Sequence, residues 1–122
     1  MEKVKSEYSA FSDCDRKKIR AIDDTMDVLS GKWKVSIIAR LWYKSMRFLE
    51  LLRDVSGISG KVLSRELRDL EMNRLINREV SQSKPVAVTY ELSEYGKSLK
   101  DLTDSIADWE LQHRKQIISS SL

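Results

Sequence analysis

The spacing of apolar residues changes period beside a short glycine turn, and that change limits what the chain can fold into. From Phe48 to Leu70 apolar residues recur every three or four positions, interrupted by Ser56-Gly57-Ile58-Ser59-Gly60. Side chains on one face of a helix recur about every 3.6 residues, so this stretch reads as two helices and a turn. From Ile76 the period becomes two. Ile76, Arg78 and Val80 alternate with their neighbours, and so do Val88, Tyr90 and Leu92. A strand returns a side chain to the same face at every second residue. Between the two runs lies Ser81-Gln82-Ser83-Lys84-Pro85, a polar turn that holds the only proline. Two helices joined by a glycine turn and followed at once by a hairpin predict a helix-turn-helix with a wing.

The remaining pattern is helical. Ile19, Ile22, Met26 and Leu29 are spaced three, four and three, with Asp13 or Asp15 as candidate N-caps. Ser30 and Gly31 break this helix. Ser30 is then expected to cap a second one from Lys32 to about Tyr43. Its apolar residues Trp33, Val35, Ile37, Ile38, Leu41 and Trp42 leave few polar positions, so it should be the buried helix. Phe48, Leu51, Leu52 and Val55 mark the third. Ser59 is a good N-cap for a fourth, Lys61 to about Asn73. After the hairpin, Ser93 is placed to cap a long last helix carrying Leu99, Leu102, Ile106 and Trp109. The expected fold class is mainly α with a small β-hairpin (α+β), a winged helix-turn-helix with long terminal helices.

A chain of 122 residues, 41% hydrophobic, suits one domain with a modest core that leaves its outer elements half exposed. There is no run of 18 apolar residues and no signal-peptide core near Met1, so no membrane span or export is expected. The single cysteine, Cys14, excludes an internal disulfide. These points favour a cytoplasmic location. Net charge is +3, but it is unevenly spread: −1 over residues 1–31, +6 over 32–90 and −2 over 91–122. A basic centre suits a polyanion. Taken alone, it is equally what an ordinary solvated surface shows.

The fourth helix separates these readings. With Lys61 at zero and a step of about 100° per residue, Ser64, Arg65, Arg68 and Met72 fall near 300°, 40°, 340° and 20°. Leu63, Leu67 and Leu70 fall between about 180° and 240°. One face therefore packs on the core, and the other offers three cations and a hydroxyl. Arginine can make paired hydrogen bonds to guanine, and serine can reach a base or a phosphate. The helix N-terminus after Ser59 favours phosphate as well. Glu66, Asp69 and Glu71 lie off the basic arc. Candidate phosphate contacts elsewhere are Lys84 at the hairpin tip, Arg78 in the preceding strand, Arg47 before the third helix and Lys32 at the start of the second. The partner these residues imply is double-stranded DNA. The DNA-binding core is then residues 30–92 of a single domain spanning 1–122.

Combined, several motifs resemble the HxlR-type transcriptional regulators, a branch of the winged helices similar to the MarR group. They are Thr25-Met26-Asp27-Val28-Leu29-Ser30-Gly31-Lys32-Trp33-Lys34, Met46-Arg47-Phe48 with Leu51, and Gly57-Ile58-Ser59-Gly60-Lys61-Val62-Leu63-Ser64. Leu67-Arg68-Asp69-Leu70-Glu71, Leu75-Ile76, Arg78-Glu79-Val80 and Tyr90-Glu91-Leu92-Ser93-Glu94-Tyr95-Gly96 complete the set, which covers about residues 20–112. The resemblance implies a bacterial dimeric repressor or activator whose first and last helices build the dimer. On that basis residues 14–29 and 93–118 are expected to dimerise, behind a flexible arm at 1–13. Ile19, Ile22, Met26, Leu99, Leu102, Ile106 and Trp109 are the candidate interface. A homodimer would meet an inverted-repeat operator.

Many members carry a redox-sensing cysteine near the start of the first helix, where this chain has Arg20. Cys14 is the candidate thiol here. Arg16, Lys17 and Lys18 favour its thiolate, and Asp13 and Asp15 oppose it. Members also often have proline where Gly60 stands, so the start of the fourth helix is less fixed here.

Other functions find little support. His113 is the only histidine, no ligand spacing suggests a metal, and Gly31, Gly57, Gly60 and Gly96 form no phosphate loop. No nucleophile–base pair is visible, so neither catalysis nor a cofactor is expected. The acidic residues alternate with bases and read as helix-surface pairs. The alternative to DNA binding is a winged-helix interaction module, which would expose a mixed or apolar fourth helix. The sequence names no small-molecule effector.

Overall fold

The computed structural model describes residues 11–121. They divide into two units, the first ending at Gly31 and the second beginning at Lys32. Most of the arm expected at 1–13 lies outside the described residues.

Among its described residues, the first unit holds one helix, α1 (Asp13–Val28). Its N-cap is Ser12, not Asp13 or Asp15. The Ser12 Oγ accepts the Asp15 backbone N–H at 3.0 Å, and the Asp15 carboxylate accepts the Ser12 N–H at 3.2 Å. Asp15 thus supplies the return half of a capping box, which satisfies two backbone donors at once. No residue of α1 is buried.

The chain turns at residues 31–33, and in the second unit α2 (Lys34–Tyr43) starts two residues later than expected. Ser30 does not cap it, and its N-cap, Trp33, makes no side-chain cap bond. Ile37, Ile38 and Leu41 are buried, as the scarcity of polar residues predicts. A short helix α3 (Phe48–Asp54) buries Leu51, and Val55 just beyond it is buried too. The chain then reverses at Gly57, whose φ of 87° an L side chain rarely adopts. α4 (Gly60–Met72) follows. Its N-cap Ser59 accepts the Val62 N–H at 3.1 Å, as expected.

The hairpin is present as strands over Ile76–Val80 and Val88–Leu92. Met46–Arg47 adds a third strand that the alternation could not reveal, because two residues carry no period. In chain order these strands are β1 (Met46–Arg47), β2 (Ile76–Val80) and β3 (Val88–Leu92). The antiparallel sheet runs β1-β3-β2, with Met46 opposite Tyr90 and Arg78 also opposite Tyr90. Buried Ile76 and Leu92 face each other at the core end of the hairpin. A 3-10 turn (Gly96–Leu99) then leads into α5 (Lys100–Ser121). Ser93 supplies the expected cap bond, accepting the Gly96 N–H at 2.8 Å, but to the 3-10 turn rather than to the α-helix itself.

Two polar seams fix α4 within this frame. At its far end, the Ser93 Oγ donates toward the carbonyls of Arg74 (2.7 Å) and Leu75 (3.1 Å). Gly96 lies so close that a Cβ there would come within 2.0 Å of the Leu75 carbonyl oxygen. The second seam runs between helices. Lys34 and Glu66, 6% and 5% exposed, form a buried ion pair with Nζ 2.6 Å from Oε2. Asp69 adds a carboxylate oxygen at 3.4 Å from the same Nζ. Glu66 is therefore not one of the surface acids that the alternating charges suggest. True surface pairs occur later, at Glu94–Lys97, Lys100–Asp104 and Glu110–Arg114.

Burial alone would depress the Lys34 pKa, but its hydrogen bonds and attraction to Glu66 and Asp69 outweigh that and raise it above the usual lysine value. A raised lysine pKa stabilises the fold fully below the unfolded value, about 10.4, and that contribution is lost as pH rises through the folded value. Lys34→Met leaves Glu66 buried without its cation and should cost about 3–5 kcal/mol at pH 7. Urea unfolding from pH 7 to 11 checks this. The gap between the two chains should narrow above about pH 10.4. Equal stability at pH 7, or a gap that does not change with pH, would contradict it.

Candidate nucleic-acid interface

The α4 helix divides as its spacing predicts. Leu63, Leu67 and Leu70 are buried, and Lys61, Ser64, Arg65, Arg68 and Met72 are exposed. Lys61, Ser64, Arg65 and Arg68 thus share one solvent-facing arc that runs along the helix from its first turn. Among the described residues, Lys61 and Arg68 have no ion-pair partner. Their charge is available to a polyanion. The Ser59 hydroxyl oxygen is occupied in capping, which leaves its proton free to donate.

The acids are handled in different ways. Glu66 sits beneath the arc, against Lys34. Asp69, half exposed, is drawn toward the same lysine. Glu71 is exposed and flanks the arc. Two of the three carboxylates of the helix are thus turned toward Lys34, and Glu71 alone flanks the three cations of the arc.

The other candidates are dispersed. Lys84 is exposed at the wing tip, where Ser81 and Ser83 organise the turn through a 3.2 Å bond from the Ser83 N–H to the Ser81 Oγ. Arg78 is exposed in β2 and Arg47 in β1, but on opposite faces of the sheet. Arg78 shares a row with Tyr90 and buried Met46, whereas Arg47 shares one with Thr89 and Glu79. Arg47 also begins α3, and its N–H donates to the Glu50 carboxylate at 3.1 Å. That bond, helped by Lys44, holds the Glu50 carboxyl below its ordinary pKa. Lys32 is exposed beside α2 with its ammonium 4.8 Å from the centre of the Trp33 ring, a cation–π contact. Cys14 is exposed in the first turn of α1.

Sequence reasoning missed the Lys34–Glu66 pair. The signal was present: Glu66 falls about 40° from Leu70 on the helical wheel, at the edge of the core face. Lys34, likewise, is one of the few polar residues in the apolar second helix. Among the described residues no three metal-capable side chains cluster, and no helix is long and apolar enough to cross a membrane.

Comparison with known proteins agrees with this geometry. The profile of the HxlR-like helix-turn-helix family matches residues 28–118. The uncharacterized HTH-type transcriptional regulator YtcD of Bacillus subtilis (strain 168) is 38% identical over 97 residues, covering 80% of this chain and 77% of that protein. The solved redox regulator HypR, in its reduced form, superposes with a TM-score of 0.75 at 30% identity, covering 81% of this chain and 98% of HypR. A solved MarR-family regulator from Enterococcus faecalis V583 gives a TM-score of 0.75 at 30% identity over 84% of this chain and 93% of that one. These relatives are regulators, not enzymes. A basic, outward-facing helix behind a glycine turn, followed by a wing, thus coincides with a match over most of the sequence, and the chain belongs to the HxlR-like helix-turn-helix family of DNA-binding transcriptional regulators.

Proposed function

We propose that the protein is a sequence-specific regulator that acts as a homodimer on an inverted-repeat operator, with α4 in the major groove and the wing tip on phosphate. The observation that carries this reading is the exposed arc of Lys61, Ser64, Arg65 and Arg68, set opposite the buried leucines of the same helix. The arc combines donors that discriminate bases with charges that hold the backbone. Lys84, Arg78, Arg47 and Lys32 are assigned to backbone contact. Such a regulator works in the cytoplasm, where its DNA is.

The terminal helices support the dimer. No residue of α1 is buried, and Ile19, Ile22 and Met26 are 44%, 55% and 56% exposed. In α5, Leu102, Ile106 and Trp109 are 38%, 47% and 66% exposed, while Leu99 in the preceding turn is half-buried. Ile117 extends the α5 row by two turns. Apolar rows of this kind mark contact surfaces, and tryptophan is enriched in them. Trp109 stacks on His113 at 4.8 Å between ring centroids, which stiffens the candidate anchor. Two copies would present two α4 helices about 34 Å apart, one turn of DNA.

Arg65→Ala or Arg68→Ala should each cost about 1–3 kcal/mol of operator affinity and relax the preference at one base position. Lys84→Ala should weaken binding evenly across sequences and lower the salt slope by about one. Fluorescence anisotropy over a salt series measures all three. Equal small effects would favour a protein-interaction module instead. Sedimentation should give twice the 14.2 kDa chain mass, and a monomer at micromolar concentration would remove the dimer.

A further inference from the structure

We propose that Glu66 is the positioning residue for Arg65, holding that guanidinium in the orientation from which α4 selects bases. This rests on the reading of α4 as the DNA-reading helix. The two carboxylate oxygens of Glu66 serve different partners. Oε2 lies 2.6 Å from the buried Lys34 ammonium. Oε1 lies 3.8 Å from the Nε of Arg65, a side chain that is 62% exposed. Glu66 thus connects a fixed buried cation to a cation on the exposed arc.

The contact requires a particular Arg65 conformation. Neighbouring residues on a helix point about 100° apart and do not face each other. Arg65 reaches Glu66 only by leaning across the helix surface toward the core side of the arc. Approach through Nε leaves Nη1 and Nη2 without a hydrogen-bond partner among the described residues. Those two nitrogens are the fork that fits guanine O6 and N7. Arginine loses much rotamer freedom when it is ordered, so a guanidinium already aimed loses less on binding. Lys61 and Arg68 have no such carboxylate, and Arg65 is singled out.

The test uses the full chain and a DNA site selected from a random library by the wild-type protein. Anisotropy gives the ratio of affinities for that site and for a scrambled duplex of the same composition. Wild type, Arg65→Ala, Glu66→Gln and the double variant are compared. Arg65→Ala should lower the ratio by about 5- to 160-fold, the equivalent of about 1–3 kcal/mol. Glu66→Gln should lower it at least about twofold, the lower end of coupling between residues in contact. The loss should be at least about twofold smaller when Arg65 is already alanine.

Loss of the same size in both backgrounds, or no loss from Glu66→Gln, overturns the proposal while leaving α4 as the reader. A wild-type ratio for Arg65→Ala overturns that reading too, and is seen without any change at Glu66. If Glu66→Gln fails to fold, Lys34→Met/Glu66→Leu takes its place in the same comparison. That apolar pair removes the orienting carboxylate without leaving a buried charge.

Discussion

Lys34 and Glu66 hold opposite charges 2.6 Å apart where water scarcely reaches. Placing either charge there alone would be strongly unfavourable, so each residue requires the other. The pair ties the first turn of α2, the most buried helix, to the middle of α4. Apolar contacts at Leu63, Leu67 and Leu70 tolerate some rotation, since leucine packs in several ways. An ion pair with one short hydrogen bond tolerates much less. The rotational setting that turns Lys61, Arg65 and Arg68 outward therefore depends on a polar contact that contributes little net stability compared with a well-packed apolar pair.

A second constraint acts at the C-terminal end of α4. The chain leaves the helix through Arg74, a non-glycine residue at φ 62°. Its carbonyl and that of Leu75 accept bonds from Ser93, and Gly96 packs against the Leu75 carbonyl with no room for a side chain. Strained backbone of this kind persists only where the surroundings over-determine it. The result is that α4, the wing and the turn leading into α5 meet at one polar seam. The α4 helix is held at its middle and at its C-terminal end by groups that cannot slide.

Much of this was legible in the residues and some was not. The α4 division into core and exposed arc follows from a 3.6-residue period, and the hairpin from a period of two. Both are local properties, so one sequence suffices to see them. The Ser12 cap was overlooked because Asp13 and Asp15 stand beside it with the same chemistry. The late start of α2 follows from a backbone turn at 31–33 that apolar spacing does not encode. Strand β1 exists only because Met46 finds Tyr90 across the fold. The Lys34–Glu66 pair joins positions 32 residues apart; local spacing sets each residue beside the core but does not say that the two meet. Likewise, strand register, rather than charge, is what separates Arg47 from Arg78.

The central claim is that the exposed arc of α4 lies in the major groove. The single natural cysteine makes it directly measurable. In a Cys14→Ser background, Ser64→Cys can carry a tethered iron chelate that cuts nearby DNA. On a site selected by the wild-type protein, the account predicts cuts at two symmetric positions, one in each half-site and about one helical turn apart. A conjugate that still binds the site but cuts it no more than free chelate does would contradict the account.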